Sequence, residues 1–566
     1  MKLEATVPAL ESESHEAAGE ASLLKRSLLQ RILSLILVAG CLLAAGSLVD
    51  GWIWSLERVT STGCEEEALF PIWKFAKGQT VYSDPHSIPF SVSYYNWLFY
   101  SVYGGTAKIV LGLFHLEDGL LPVVARSLTI GFSLTCIGIL YALLGRLTPS
   151  GFFGTRLVRL ACSVFLVINP LTGAWLFTAR PDIAALTCEL AGLWWALRYV
   201  DTRKITPLVC ALLAGYAAWS FKQNFVHLLG GLGVFLLLRR DWRALTLVAS
   251  ATVGLMSCTL LAGGQGFRHV LVGAQLNCPM NAEVAWIYFR QATGLAPHLV
   301  AIAAGLGIAI VLHRRRPQLK EFDLLAAIAI IALGIGFLGA SKQGADINYF
   351  IPISIFGVLW GLCLWHSSEE SPSETRRVAH IVHGAILAMF GLGILGGLVP
   401  QARRVATEIP HLFARESLAG GEQPPSGVNE EISRLKRHLK ELPSPVFVTD
   451  RACNLPWIQG KAPHFVYSYM YPLDKKAGSK MEDGGIGGLI ERGYFEAVVV
   501  MERNCACESI AFPKMQCTHF TMNHLPVVRD GAVPSLDDGR MHHYRLAFRD
   551  GWFAYYLKQK PDGSSL

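Results

Sequence analysis

The chain has 566 residues, of which 52% are hydrophobic and only 16% are charged, and its mean hydropathy is +0.37. This composition is typical of polytopic membrane proteins and not of soluble globular ones. The formal net charge of +7 does not indicate a nucleic-acid partner, because the cations cluster in short loops between apolar segments. In such loops they act as an orientation signal.

The chain divides by composition into four parts. Residues 1–24 contain five glutamates and little that could pack, so they predict a disordered cytoplasmic tail. Residues 25–400 predict a multi-span membrane domain, and residues 401–427 predict a linker rich in Gly and Pro. Residues 428–566 predict a small, soluble α/β domain on the extracytoplasmic side. The fold class is therefore mainly α, with a small C-terminal α/β domain.

About eleven apolar segments approach the roughly 20 residues that a bilayer core requires. The expected spans are 31–50, 122–144, 157–178, 183–200, 205–221, 225–238, 244–262, 297–312, 322–340, 349–366 and 379–399.

Positive charge alternates between the loops that join these spans. The cations concentrate before the first span and after every second one, at Lys25, Arg26, Arg146, Arg156, Arg198, Lys204, Arg239, Arg240, Arg314, Arg315, Arg376 and Arg377. Because cytoplasmic loops carry excess Lys and Arg, the N-terminus is predicted to be cytoplasmic. An odd number of crossings then puts the C-terminal domain outside, and the expected location is the plasma (inner) membrane.

The first outside loop, residues 51–121, contains an aromatic segment at 93–114. Counting this segment as a crossing would put the next cations outside and break the alternation of charge. We therefore predict an interfacial helix, because Tyr and Trp prefer the membrane surface. The same loop carries Glu65, Glu66 and Glu67, which indicate either an active-site base near the membrane or a solvated first turn of a helix.

Three further polar clusters are expected on the same side of the membrane. Each also has a structural interpretation: Asp182 suits the first turn of a helix after Pro, and lysines at span ends extend to the surface. Lysines and amides on the side of the carboxylates suit a bound anionic phosphate. The clusters contain Arg180 and Asp182, then Lys222 and Gln223, and finally Lys342, Asn348 and Tyr349.

Six of the 13 cysteines are expected outside the membrane, where they could form disulfides or stay free. A metal site is the alternative for the C-terminal three, although C-x-C lacks zinc-finger spacing. The six are Cys64, Cys278, Cys453, Cys505, Cys507 and Cys517.

These clusters resemble the GT-C-fold membrane glycosyltransferases, the superfamily of protein O-mannosyltransferases and the lipid A aminoarabinose transferase. The resemblance lies in layout and short motifs over residues 30–360. It comprises an acidic first outside loop, a short helix ending at Gly78, an aromatic interfacial helix, and a Lys-containing loop leading into a Tyr-x-x-Pro helix. Family members carry Asp or Asp-Glu where this chain has three glutamates, so which glutamate aligns stays open.

The resemblance implies roles for individual residues. The catalytic carboxylates would be Glu65 or Glu66, with Asp182 positioning the acceptor or holding a metal ion. The donor phosphate would be held by Arg126, Lys222 and Lys342. The substrate cavity would be lined by Tyr82, Tyr94, Tyr95, Arg180, Gln223, Asn348 and Tyr349.

The implied reaction is inverting transfer of a sugar from a polyprenyl-phosphate-type carrier to an acceptor on the extracytoplasmic face. The partners would be the polyprenyl-linked sugar donor, a lipid, glycan or protein acceptor, and the bilayer itself. Some family members need a divalent cation and others do not, so Mg²⁺ or Mn²⁺ stays open and its ligands are unknown.

Two other function classes compete with a transferase. A transporter or flippase would place ionisable groups at mid-membrane and carry two related halves, and no internal repeat is evident. A membrane receptor or scaffold would make no demand on the glutamates or lysines.

Overall fold

The computed structural model describes most of the chain, with gaps. The described residues are 31–53 without 33, 55, 65–90, 93–148, 155–313, 320–342, 345–368, 377, 380–396, 427–448, 455–464, 478–501, 541–551 and 553–559.

The described part of the chain is mainly helical. Its α-helices in the N-terminal two-thirds are α1 Ser34–Ile53, α2 Glu66–Ala76, α3 Trp97–Leu113, α4 Leu121–Leu147, α5 Arg156–Val167, α6 Asp182–Thr202, α7 Ile205–Phe221, α8 His227–Leu238, α9 Trp242–Ala262, α10 Gly264–Arg268, α11 Ala274–Leu276, α12 Ala282–Leu295, α13 His298–His313, α14 Lys320–Ala340, α15 Ile351–Ser368 and α16 His380–Gly396.

The C-terminal segment forms a small four-stranded mixed sheet with helices packed against it. Its elements are α17 Gly427–Glu441, β1 Val446–Val448, α18 Gly485–Glu491, β2 Ala497–Met501, β3 Tyr544–Asp550 and β4 Phe553–Lys558, and the strand order is β1-β2-β4-β3. Strands β1 and β2 are parallel, and the other two pairings are antiparallel. The β-branched runs Val446–Val448 and Ala497–Met501 therefore form strands, in the part of the chain where the sequence predicts an α/β domain.

Four described helices are long and apolar enough to cross a membrane by length and composition. They are Ser34–Ile53, Asp118–Leu147, Trp242–Ala262 and Glu321–Ala340. Five more apolar helices have only 10 to 17 residues, below the length of roughly 20 that a straight crossing requires. The predicted count of about eleven spans is therefore not confirmed.

One predicted span is not a continuous helix. Within 157–178, α5 ends at Val167 and is followed by a turn and a short 3₁₀ helix. The reason is local: the Asn169 side chain accepts hydrogen bonds from the backbone N–H groups of Leu171 and Thr172, and Pro170 follows directly. Asn competes with helical hydrogen bonding in this way, and Pro cannot donate to a helix.

The predicted interfacial segment does form a helix, α3, which begins later than expected. Asn96 caps α3, because its side chain accepts a hydrogen bond from the Trp97 N–H and its amide donates to the Trp219 carbonyl at 2.9 Å. The start of α3 is thereby fixed to the end of α7.

Helices α6 and α7 have surface ion pairs of the basic loops at one end and the Asp182 carboxylate with Lys222 at the other. At the end of α6 near Thr202, Arg203 pairs with Asp241, and Arg146 pairs with Asp201. These cations belong to the loops predicted to be cytoplasmic. Asp182 lies at the opposite end of α6, so helix geometry separates the basic loops from the candidate site.

Candidate functional site

Asp182 is the centre of a buried polar cluster where three chain segments meet. It starts α6, and its Oδ1 accepts hydrogen bonds from Lys222 Nζ at the end of α7 and from Asn348 Nδ2 before α15, each at 2.7 Å. All three side chains are buried. Residues separated by 40 and 166 positions in sequence therefore share one carboxylate oxygen.

Aromatic side chains from the segment before α3 form a second side of this cluster. Arg180 Nη2 donates to the Tyr95 hydroxyl at 3.0 Å, and Gln223 Nε2 donates to the Tyr94 carbonyl at 3.2 Å. The Lys222 ammonium lies 5.2 Å from the centre of the Tyr349 ring. This is the geometry of a cation–π contact.

Lys342 joins the same cluster through Gln275. Lys342 Nζ donates to Gln275 Oε1 at 2.5 Å, and the Tyr94 hydroxyl interacts with Gln275 and with Tyr349. The sequence-predicted clusters are thus brought together. We call this set the Asp182 cluster, which consists of Tyr94, Tyr95, Arg180, Asp182, Lys222, Gln223, Gln275, Lys342, Asp346, Asn348 and Tyr349.

Several buried polar atoms of the cluster have no hydrogen-bond partner among the described residues. Buried polar groups are nearly always hydrogen-bonded, so these atoms offer hydrogen bonds to water or to a polar ligand. The atoms are Asp182 Oδ2, Asn348 Oδ1, Gln223 Oε1, Gln275 Nε2 and the neighbouring Ser220 Oγ.

The two carboxylates of the cluster have opposite pKa shifts. Burial raises the pKa of Asp182, but the charges of Lys222 and Arg180 and the hydrogen bonds from Lys222 and Asn348 outweigh it, so the net shift is downward. Burial raises the pKa of Asp346, and this rise is only partly offset by the hydrogen bond that its Oδ1 accepts from the Ile347 N–H at 2.7 Å and by the neighbouring cations. Asp182 is therefore held ionised, whereas Asp346 takes up a proton at a higher pH than an ordinary aspartate does.

Lys222 is shifted in the direction expected for a buried amine. Burial lowers its pKa, and the adjacent Asp182 carboxylate counteracts part of that effect. Because an ionised partner lies 2.7 Å away, the pair is stable only while both groups carry charge.

Glu65 lies in a buried ion pair beside the cluster. Its Oε1 accepts hydrogen bonds from Arg126 Nε at 2.8 Å and from the Ala179 N–H at 2.7 Å, and its Oε2 pairs with Arg126 Nη2 at 2.5 Å. Arg126 also donates to the Ser55 carbonyl, and neither charged side chain is exposed. The pair thus anchors the segment that leads into Arg180 and Asp182.

The other predicted site residues, Tyr82, Glu66 and Arg126, are not placed in the Asp182 cluster. The Tyr82 hydroxyl donates to the Tyr95 carbonyl at 2.9 Å, so Tyr82 supports the backbone of the aromatic side. The Glu66 side chain lies outside the described residues. The catalytic role of Glu65 and the phosphate-binding role of Arg126 stay predictions, and the geometry supplies a structural role for both.

Sequence reasoning missed two members of the cluster as site residues. Asp346 lies in the loop already singled out for Lys342 and Asn348, so its position next to that motif was the available signal. Gln275 lies in the short α11 after a π-helical turn, and nothing in its neighbourhood marks it.

No metal ligand set is assigned. The described residues contain no group of three or more His, Cys, Asp or Glu side chains that could hold a metal ion. At Asp182, the Lys222 ammonium takes the position beside Oδ1 that a cation would need. Of the six predicted outer cysteines, only Cys278 lies among the described residues, and its side chain is buried.

Comparisons with known proteins give a distant similarity. No protein-family model matches the chain, and no curated protein matches it. Two solved structures of the Archaeoglobus fulgidus oligosaccharyltransferase are similar to it. The complex with Zn and sulfate has 13% identity and a TM-score of 0.43, over 82% of this chain and 67% of that one. The apo form has 11% identity and a TM-score of 0.45, over 81% and 69%.

This similarity is distant, and it adds nothing to the resemblance that the sequence motifs indicate. At TM-scores below 0.5 it assigns neither a reaction nor a substrate to the chain. Those must come from the side chains of the Asp182 cluster.

The buried pair makes a prediction about stability. Replacing Glu65 by Ala leaves Arg126 buried and unpaired, and such a loss costs about 3–5 kcal/mol of unfolding free energy. Arg492→Ala is the control, because its pair with Asp483 is about half exposed, and such pairs contribute about 0–1 kcal/mol. Thermal unfolding of the two variants in detergent measures the difference. Equal unfolding temperatures would contradict a structural role for Glu65.

Proposed function

We propose that the chain is a membrane glycosyltransferase of GT-C type. It moves a sugar from a polyprenyl-phosphate-type carrier to an acceptor on the extracytoplasmic face, and the configuration at the anomeric carbon is inverted. The observation that carries the proposal is the Asp182 cluster itself. Cations, carboxylates, amides and tyrosines converge there at one end of an apolar helical bundle, and several polar atoms still lack partners among the described residues.

The composition of the cluster suits an amphiphilic, phosphorylated sugar. Arg180, Lys222 and Lys342 supply positive charge for a phosphate group. The unpartnered oxygens of Asp182, Gln223 and Asn348 can accept hydrogen bonds from hydroxyl or amine groups. Tyrosine rings offer flat, half-polar surfaces for a sugar ring. The adjoining apolar helices suit the lipid chain of the carrier.

The proposed reaction needs one base and one group of cations. The acceptor hydroxyl or amine gives its proton to Asp346 as the acceptor atom bonds to the anomeric carbon from the face opposite the phosphate. The bond from that carbon to the phosphate oxygen breaks, and the leaving phosphate takes the electron pair. Arg180, Lys222 and Lys342 stabilise its charge as it develops.

Two roles in this mechanism differ from those that the resemblance implies. Asp346 replaces Glu65 as the base, because Glu65 has both oxygens bound inside the protein. The raised pKa of Asp346 also makes it a stronger base than an ordinary aspartate. Arg180 replaces Arg126 at the phosphate, since Arg126 is buried against Glu65. Asp182 holds Lys222 and Asn348 and orients the acceptor through Oδ2.

The topology that goes with this proposal keeps the N-terminus in the cytoplasm. The Asp182 cluster and the C-terminal domain then face the opposite side of the plasma membrane. The basic loops at the other ends of α6 and α7 support this orientation.

A transfer assay tests the function. Membranes containing the chain are incubated with a panel of radiolabelled polyprenyl-phosphate sugars, and label in lipid, glycan and protein fractions is counted. Asp346→Asn should lower transfer by about 10²–10⁴-fold, because the base is lost while the shape of the side chain is kept. Asp182→Asn should also lower transfer. Asp84→Asn, which changes an exposed carboxylate, should leave transfer within about twofold.

The amount of inserted protein and its unfolding temperature are measured for each variant. Full transfer by a normally folded Asp346→Asn variant would overturn the assigned base. Absence of transfer by the wild-type protein from every donor would favour the transporter or scaffold classes.

The pH profile gives a second test of Asp346. An ionised Asp346 is required, so transfer should fall as the pH falls through its pKa. Because burial raises that pKa, the decline should occur above the ordinary value of 3.8. Asp182 has a lowered pKa and stays ionised over this range. The residual transfer of Asp346→Asn should lack this acid limb, and an unchanged limb in that variant would exclude Asp346 as its source.

A further inference from the structure

Helix α17 of the C-terminal segment has two different faces. Leu435 and Leu439 are buried and pack, with Leu442 after the helix, against the strands β1, β2 and β4. The half-buried Lys436 and the exposed Arg437 and Lys440 lie on the other face. The helix therefore binds its own sheet through leucines and presents a row of cations elsewhere.

These cations surround a pocket. It has a volume of about 410 Å³ and is lined by Ser433, Lys436, Arg437, Lys440 and Gln459. The surface of the pocket is formed mainly by the aliphatic parts of these side chains, and the charged ends of the three cations can bind an anion at its rim.

The three lining cations have no ion-pair partner among the described residues. Other basic groups of the same helix do have one, since Arg434 Nη1 and His438 Nε2 bind the Asp550 carboxylate at 3.1 and 2.8 Å. Arg434 and His438 therefore attach α17 to β3, whereas the three lining cations have no described carboxylate that balances their charge.

The pocket adjoins the start of a candidate membrane span. Lys436 Nζ lies 3.5 Å from the position that a Cβ atom on Gly119 would take, and Gly119 is the second residue of the span Asp118–Leu147. The carboxylate of Asp118 is already taken, by Lys77 at 2.8 Å and Trp73 Nε1 at 2.9 Å. It therefore does not neutralise Lys436.

Large apolar side chains are exposed on the same stretch of chain. They are Leu113, Phe114, Leu116 and Leu120, with 69, 64, 39 and 41% of their surface accessible. Protein surfaces that lie on a bilayer typically combine apolar side chains with a row of cations. The beginning of a membrane span also marks the depth at which lipid headgroups lie.

We propose that this pocket binds the phosphate of an anionic phospholipid headgroup in the leaflet next to the C-terminal domain. The apolar side chains between α3 and α4 contact the acyl chains, and Lys436, Arg437 and Lys440 hold the phosphate. The lipid fixes the C-terminal domain against the membrane. This binding is independent of the proposed transfer reaction, so either can fail without the other.

Lipid binding to the purified full-length chain in a nonionic detergent tests the proposal. Native mass spectrometry gives the dissociation constants of dioctanoyl phosphatidylglycerol and of dioctanoyl phosphatidylcholine, and the wild-type protein should bind the anionic lipid more tightly. Each cation at an anionic surface contributes roughly fivefold in affinity, so the triple variant K436Q/R437Q/K440Q should bind it about a hundredfold more weakly.

A second triple variant controls for the loss of charge alone. Lys204→Gln, Arg240→Gln and Arg243→Gln remove three exposed cations at the other end of the bundle, and affinity should not change. Wild-type affinity in K436Q/R437Q/K440Q, with a normal unfolding temperature, would overturn the proposal. Displacement of the lipid by an equal concentration of inorganic phosphate would also overturn it, because the pocket would then be a site for free anions.

Discussion

The buried contact between Asp182 and Lys222 is the interaction on which the rest of the site depends. An unpaired charge of either sign would be strongly destabilising in this interior, so each residue requires the other. Asn348 binds the same carboxylate oxygen and adds the loop before α15. One carboxylate thus fixes the start of α6, the end of α7 and the start of α15. Arg180 and Gln223 lie on these segments, and through their hydrogen bonds they position Tyr95 and Tyr94.

The buried ion pair of Glu65 and Arg126 stabilises the segment that leads into Asp182. It connects the start of α2 to α4, and through the Ala179 N–H it holds the turn that precedes Asp182. An acidic residue in the first loop after α1 can therefore matter for activity without contacting a substrate. In this account Glu65 is a positioning residue, and the chemistry belongs to the carboxylates that retain an accessible or unpartnered oxygen.

The sequence was sufficient to predict which polar motifs meet, because alternating basic loops assign each motif to one side of the membrane. Arg180, Lys222 and Asn348 were named on that basis, and they do converge. The partner of each side chain could not be predicted. By residue type alone, Glu65 could bind a substrate as readily as it binds Arg126, which lies 61 residues away. Apolar length also predicts one continuous span over 157–178, because hydropathy does not detect a turn such as the one that Asn169 and Pro170 make after α5.

The most direct test of the central claim is to locate a bound carrier phosphate. Electron cryomicroscopy of the full-length chain in a lipid nanodisc with a polyprenyl phosphate would show the phosphate as a strong density. The account predicts this density within hydrogen-bond distance of Lys222 or Arg180, with Glu65 still paired to Arg126. A phosphate bound to Arg126, with the Glu65 pair opened, would contradict it and return the first-loop glutamate to the reaction centre.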